Sequence, residues 1–418
     1  MPANSQNAHW TVLEKISFRF FFTYVLLFII SVSFQHEFIP DTGKFTAPFF
    51  ETMVKWCAEN VLNIQSPYTY QLISDSTGLY IHSGILAFLS ALICTAWTLL
   101  GKKKKNHTVL FCLFLLAARY YLAMQLFVYG FNKVFKWQFY LPEPNTLFTP
   151  LGYTYPDLLY WSAMGSSRPY TMFLGIAEVL AGCLLLFRRT KLFGAVFSAA
   201  IIINVLAINF SFNISVKLYS LFLFMLCCIV IAPDAKKMFG FFFGKTEIVF
   251  VRNTGISPFR NKWMYAAIKS FVTGFILFDA LFMYIKANNF NDDHAPRPFL
   301  HGAYDIKLFV KNTDTIAALL TDTTRWKRIF IHRMNYLITQ SMNDAMEDYT
   351  LEYDTLNHFL MIENHDDTAK TKLHYFRADD STLFLNGKMY SDSLKIILRK
   401  INLNKLPLLQ REFHWTMD

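Results

Sequence analysis

The chain has 418 residues, and those with the most chemical potential sit within its long apolar stretches. Tyr121, Gln125, Tyr129 and Lys133 recur at every fourth position, which stacks them on one face of a helix and turns that face toward protein. Counted along their helices at about 1.5 Å per residue, Lys133, Asn209 and Lys217 reach the same membrane boundary, beside Asn213. Two ammonium groups and two amides facing the Tyr129 phenol can hold an anionic or carbonyl-bearing ligand, such as an oxyanion or a quinone head. The plainer reading is that lysines at helix ends snorkel to the interface. Arg119 falls about 17 Å from the opposite end of its helix and Glu178 about 14 Å. An unpaired charge at that depth is costly, so an Arg119 to Glu178 ion pair is predicted between consecutive antiparallel helices, fixing register or relaying protons. Asp279 lies about 22 Å along the last apolar stretch with no evident partner, and Lys269 near its inner edge can snorkel.

The elements that carry these residues follow from composition. Hydrophobic residues make up 54% of the chain and charged residues 17%, and the mean hydropathy is +0.27, which excludes a disordered or nucleic-acid-coating chain. Seven windows approach the length of about 20 apolar residues that a membrane span requires: Ile16–Phe34, Gly78–Leu100, Thr108–Val134, Thr171–Phe187, Leu192–Phe210, Val216–Ile231 and Met264–Ile285. Basic residues gather after the second, fourth and sixth windows, in Lys102–Lys105, in Arg188, Arg189 and Lys191, and in Lys236, Lys237, Lys245, Arg252, Arg260 and Lys262. These loops are therefore expected in the cytoplasm, together with the N-terminus, and the segment after Lys286 on the outer side, the periplasm in a bacterium. The first window is long for a cleaved leader. Up to residue 300 the chain carries 25 basic and 14 acidic residues, and after it 15 and 16, so the net charge of +10 reflects topology and no nucleic-acid partner is implied. Lys102–Lys105 is also placed to attract anionic lipid.

Past Asp292 the pattern changes to short alternating runs, as in Tyr304–Val310, Tyr349–Glu352 and Lys372–Phe376. Further strands are expected at Trp326–Ile331, His358–Ile362 and Leu394–Leu398, with a hairpin turn at Asn386-Gly387, which together predict a small all-β barrel or sandwich. No metal site is expected. The tail histidines His332, His358, His365 and His374, with Asp366-Asp367 and Asp379-Asp380, show no ligand spacing, and the tail holds no cysteine. Five of the six cysteines fall inside spans. Phe45–Leu62, with Phe49, Phe50, Val54 and Trp56, reads as an amphipathic segment on the membrane interface. No dinucleotide fingerprint, haem pair or cysteine cluster is present, so any redox role calls for a quinone or a partner subunit.

The stretch from Arg119 to about Asp234 resembles the DoxX family of integral membrane proteins, in the long form with an exported C-terminal domain. The likeness rests on Arg119-Tyr120-Tyr121-Leu122-Ala123, Tyr129-Gly130 with Lys133, Met164-Gly165-Ser166, Gly175 with Glu178 and Gly182, Arg188-Arg189-Thr190 with Gly194, Asn204-Val205, Asn209-Phe210, Val216-Lys217-Leu218 and Pro233-Asp234. One departure is Ser211 to Ser215, where the family motif tends to hold an Asp. The resemblance implies a four-helix core and association with membrane oxidoreductase complexes. The expected organisation is residues 1–107 with two spans and the amphipathic loop, 108–235 as the DoxX-like core, 236–290 as linker and seventh span, and 291–418 as the exported β domain. The function expected is a subunit associated with a membrane oxidoreductase, binding a quinone or small anion through Tyr129, Lys133, Asn209 and Lys217. The alternative is a non-enzymatic anchor that presents the β domain to a partner. A transporter is disfavoured because no inverted repeat is evident.

Overall fold

The computed structural model describes residues 10–32, 36–64, 69–71, 74–101, 106–244, 261–364, 367–410 and 415–416. The Lys102–Lys105 run, Lys245, Arg252, Arg260, His365 and Asp366 lie outside the described residues. The chain forms the expected helical membrane bundle and all-β domain, as two compact units.

The first unit comprises residues 1–138 and 171–290. Its helices are α1 (Val12–Ser31), α2 (Thr42–Asn60), α3 (Thr77–Leu100) and α4 (Thr108–Val134). After the segment assigned to the second unit, which contains α5 (Pro144–Leu147) and α6 (Pro156–Ser166), come α7 (Arg168–Leu186), α8 (Lys191–Ser211), α9 (Lys217–Ile231), α10 (Ala235–Phe243) and α11 (Lys262–Lys286). Thr11 and Glu14 close a capping box at the start of α1, and Ser76 and Asn261 cap α3 and α11 by accepting from the Leu79 and Trp263 backbone N–H groups, so each of these starts has at least one of its otherwise unpaired donors satisfied. Among the described residues six helices are long and apolar enough to cross a membrane, those from α3 to α11 apart from the short α5 and α6, with α9 and α10 counted as one. Of the seven expected windows, Ile16–Phe34 is not among these six, and its last residues lie outside the described ones. The first window is helical, but α1 contains Glu14, Lys15 and Arg19. Arg19 is buried and hydrogen-bonds Thr98 at 2.8 Å and the His107 ring at 3.0 Å. The amphipathic segment is the helix α2, with Phe50, Val54 and Ala58 on its buried side and Phe45, Phe49 and Trp56 exposed.

Side-chain contacts fix an up-and-down arrangement. Ser31 at the end of α1 meets His82 near the start of α3 at 2.8 Å, and Asp75 before α3 meets Lys217 at the start of α9. We call this the upper end. Small residues set how closely the rods approach. A Cβ on Gly175 of α7 would lie 2.5 Å from the Gly130 carbonyl oxygen of α4, and one on Gly182 would lie 2.9 Å from the Phe127 ring, so these helices touch backbone to backbone.

The second unit comprises residues 139–170 and 291–418. Residues 139–170, the α4–α7 connection, thus group with the β strands. The strands are β1 (Gly302–Lys311), β2 (Asp314–Thr315), β3 (Trp326–Ile331), β4 (Tyr336–Ser341), β5 (Met346–Asp354), β6 (Phe359–Asn364), β7 (Asp367–Arg377), β8 (Thr382–Met389) and β9 (Asp392–Lys400). Antiparallel pairing runs β1-β3-β4-β5-β6-β7-β8-β9 and returns from β9 to β1, which closes an eight-stranded barrel; β2 is a short addition to β1. Alternate residues such as Ile329 and Ile331, Leu383 and Leu385, and Ile396 and Leu398 fill its interior. Phe148, from the connection, packs on a second cluster formed by Ala303, Phe330 and Ile338.

The hairpin expected at Asn386-Gly387 is not there. Both residues are inside β8, and the reversal falls between Met389 and Asp392, with Tyr390 at φ 55°. Gly387 serves packing instead, since a Cβ there would meet the Lys372 carbonyl oxygen at 2.6 Å.

Candidate functional site

The α4 stripe points into the bundle, as its fourfold spacing predicts. Gln125 and Lys133 are buried. The Tyr121 hydroxyl lies 3.2 Å from that of Tyr219 on α9, and the Tyr129 and Tyr219 rings are 6.4 Å apart. The stripe therefore lines the α4–α9 contact with phenols.

The predicted Arg119 to Glu178 pair does not form. Glu178 instead accepts from the Lys133 ammonium with both carboxylate oxygens, at 2.9 and 2.8 Å, and both side chains are buried. Register explains the exchange. The backbone contacts of Gly130 with Gly175 and of Ala123 with Gly182 set Arg119 against the α7 C-terminus, and the Lys133 stem runs back along α4 to reach Glu178.

The other predicted ligand residues separate. Asn209 donates to the Ser220 hydroxyl at 3.0 Å. Lys217 donates to Asn213 Oδ1 and to the Ile214 carbonyl, each at 3.1 Å, with Asp75 at 3.8 Å. Asp75 also accepts from the backbone N–H groups of Lys217 and Leu218 at 2.7 and 3.0 Å, so its carboxylate caps α9. Lys133 remains beside Tyr129, 5.6 Å from the ring centroid, while Lys217 is engaged with Asp75.

Asp279 is not solitary. It accepts from His36 Nδ1 at 2.9 Å and from the Phe38 backbone N–H at 2.9 Å, and His36 Nε2 lies 3.3 Å from the Gln125 amide nitrogen. If the amide donates, the imidazole accepts at Nε2 and gives its Nδ1 proton to Asp279. Sequence reading missed His36 because it lies beyond the first apolar window; a histidine just past a span was its signal. Layered along α4, then, are a Tyr pair, a Gln–His–Asp chain, a phenol and a Lys–Glu pair. Each interior carboxylate has its own partner.

The β unit holds a second polar cluster that sequence reading missed. Glu143, 4% exposed, accepts from Arg333 Nε, from the Arg333 backbone N–H at 3.1 Å and from His301 Nε2 at 3.0 Å. Arg333 also reaches Asp292 at 2.7 Å and lies over the Tyr140 ring at 4.1 Å. Burial alone raises the Glu143 carboxyl, but the His301 hydrogen bond and the Arg333 guanidinium outweigh it and hold its pKa at about 2. His332, 3.8 Å from Glu143, is shifted below its ordinary value by burial. The cluster pins the 139–170 connection to the barrel. Among the described residues no group of three His, Cys, Asp or Glu side chains could hold a metal ion.

No family model matches the chain, and no solved structure matches it. Over 126 residues, 30% of this chain and 79% of the relative, it is 38% identical to the "Uncharacterized protein YwoB" of Bacillus subtilis (strain 168). The chain belongs to the YwoB family.

Proposed function

We propose that this YwoB-family chain is a DoxX-like membrane subunit associated with an oxidoreductase, and that the upper polar layer of its bundle receives a quinone head. The observation that carries the reading is charge compensation. Lys133 is held by Glu178 and His36 bridges Asp279 to Gln125, so the layer offers phenols, an amide and an imidazole with its charges already matched. Such a lining favours a neutral, hydrogen-bonding carbonyl ligand over the small anion that two uncommitted lysines would attract. The basic loops support a cytoplasmic lower end and an exported barrel in the inner membrane. Electrons would pass through the quinone and a partner subunit.

The test is titration of a short-chain quinone onto the full-length protein in nanodiscs. Tyr129→Phe, Gln125→Ala and Asp279→Asn should each weaken binding by about tenfold, the scale of one lost charge-assisted or buried hydrogen bond. Affinity unchanged in all three would discard the reading. A specific observation favours the anchor reading as well: the barrel exposes Leu319, Leu320 and Leu356, apolar groups that suit a protein partner. Under that reading Leu320→Asp and Leu356→Asp abolish function while quinone binding is absent from the start.

A further inference from the structure

The lower end of the bundle gathers three cationic side chains that no carboxylate among the described residues pairs. Arg119 on α4 is 6% exposed; its side chain hydrogen-bonds Tyr120, and its Nε has no hydrogen-bond partner among the described residues. Its guanidinium lies 5.5 Å from the Tyr120 ring centroid. Arg188, two residues past the end of α7, sits 4.8 Å over the Tyr265 ring, and Lys269 of α11 sits 4.8 Å over the Phe187 ring. Arg119 is within electrostatic range of Arg188 and of the Tyr120 and Tyr265 phenols, and Lys269 is within range of both arginines. Among the described residues no carboxylate forms an ion pair with Arg119, Arg188 or Lys269. Asp234, at this same end, is engaged by Lys191 at 3.7 Å.

A buried guanidinium facing two more cations is unfavourable by itself, because desolvation and mutual repulsion act in the same direction. An oxyanion reverses both. Two guanidiniums match phosphate oxygens through paired N–H donors, an ammonium adds a point charge, and the neighbouring phenols can donate. We propose that Arg119, Arg188 and Lys269 form a phosphate-binding site at the lower end of the bundle. Arg119 forms its floor, and Arg188 and Lys269 stand at its mouth. Arg188 lies just beyond a spanning helix, where the phosphodiester of an anionic phospholipid resides, so a headgroup is one source and free phosphate the other. The site is separate from the quinone layer and does not depend on it.

The full-length protein in detergent is followed by thermal unfolding with added dioleoylphosphatidylglycerol, inorganic phosphate or dioleoylphosphatidylcholine, and by native mass spectrometry of retained lipid. Stabilisation by phosphatidylglycerol and not by phosphatidylcholine, with retention roughly tenfold weaker in Arg188→Gln/Lys269→Gln, identifies the headgroup. Stabilisation by phosphate, weakened by the same substitutions while phosphatidylglycerol does nothing, identifies the free ion. Arg119→Met supplies a sign test: removing a buried unmatched charge raises the unfolding temperature if the site takes no anion, and abolishes the anion response if it does. A response to neither anion, or an equal response in wild type and variants, overturns the proposal.

Discussion

Lys133 and Glu178 bind each other at 2.8 and 2.9 Å in the interior of the bundle, across helices whose backbones meet at Gly130 and Gly175. The pair is possible because the glycines bring α4 and α7 close, and it removes both charges from the apolar environment at once. Glu178→Gln or Lys133→Met alone strands a buried charge and should destabilise the protein by about 3–5 kcal/mol. The double variant leaves no charge and should recover most of that loss. Unfolding in detergent measures the cycle, and a sum of two independent losses would mean that the side chains are not coupled. Arg119→Met should show no coupling to Glu178→Gln.

The same contact makes a steric prediction. A side chain on Gly175 meets the Gly130 carbonyl oxygen at 2.5 Å and the Val134 backbone nitrogen at 2.8 Å, neither of which can move without shifting a helix. Gly175→Leu should therefore lower the unfolding temperature markedly and separate Lys133 from Glu178. Gly152→Leu is the control, since nothing lies within 4 Å of its Cβ position. Equal losses in the two variants would contradict the close approach.

Glu143 gives the β unit an acid-sensitive clamp. Its pKa in the fold, about 2, lies below the ordinary 4.5, so the fold favours the carboxylate. Its contribution is fully present above the unfolded value and is lost as pH falls from about 4.5 toward 2. The amount is about 3 kcal/mol, an order of magnitude set by the shift. Stability of the full-length protein followed against pH should fall through that window, and Glu143→Gln should remove this part of the slope while lowering stability at neutral pH. Slopes that coincide in wild type and variant would sink the clamp.

Much of this was legible in the sequence, and what was not has a common cause. The Tyr121, Gln125, Tyr129 and Lys133 stripe and the strands at Trp326–Ile331 and Leu394–Leu398 depend on local periodicity, which composition displays directly. Arg119 to Glu178 failed because counting from helix ends assumes rods level at their ends. The actual offset comes from backbone contacts at Gly130, Gly175 and Gly182. His36 with Asp279, and Glu143 with Arg333, join residues 243 and 190 positions apart, and no local pattern encodes such pairs. Asn386-Gly387 was misread because one dipeptide satisfies two demands, a tight turn or a crowded strand position.

That last distinction can be measured. If Gly387 were a turn residue, it would be replaceable by Asn, which tolerates a left-handed backbone. It sits instead in β8 opposite Leu373, with the Lys372 carbonyl oxygen 2.6 Å and a Leu373 methyl 2.9 Å from the place of a Cβ, so any side chain forces β7 and β8 apart. Both Gly387→Asn and Gly387→Ala should destabilise the barrel by about 1–3 kcal/mol, the usual cost of overpacking. Tyr390, at φ 55° in the actual reversal, should by contrast accept Gly or Asn with stability kept or slightly raised, because those residues adopt a positive φ with less strain. Tryptophan fluorescence reporting on Trp326, buried against Phe309, would follow barrel unfolding in each variant. A Gly387→Asn protein as stable as wild type would return the turn to Asn386-Gly387.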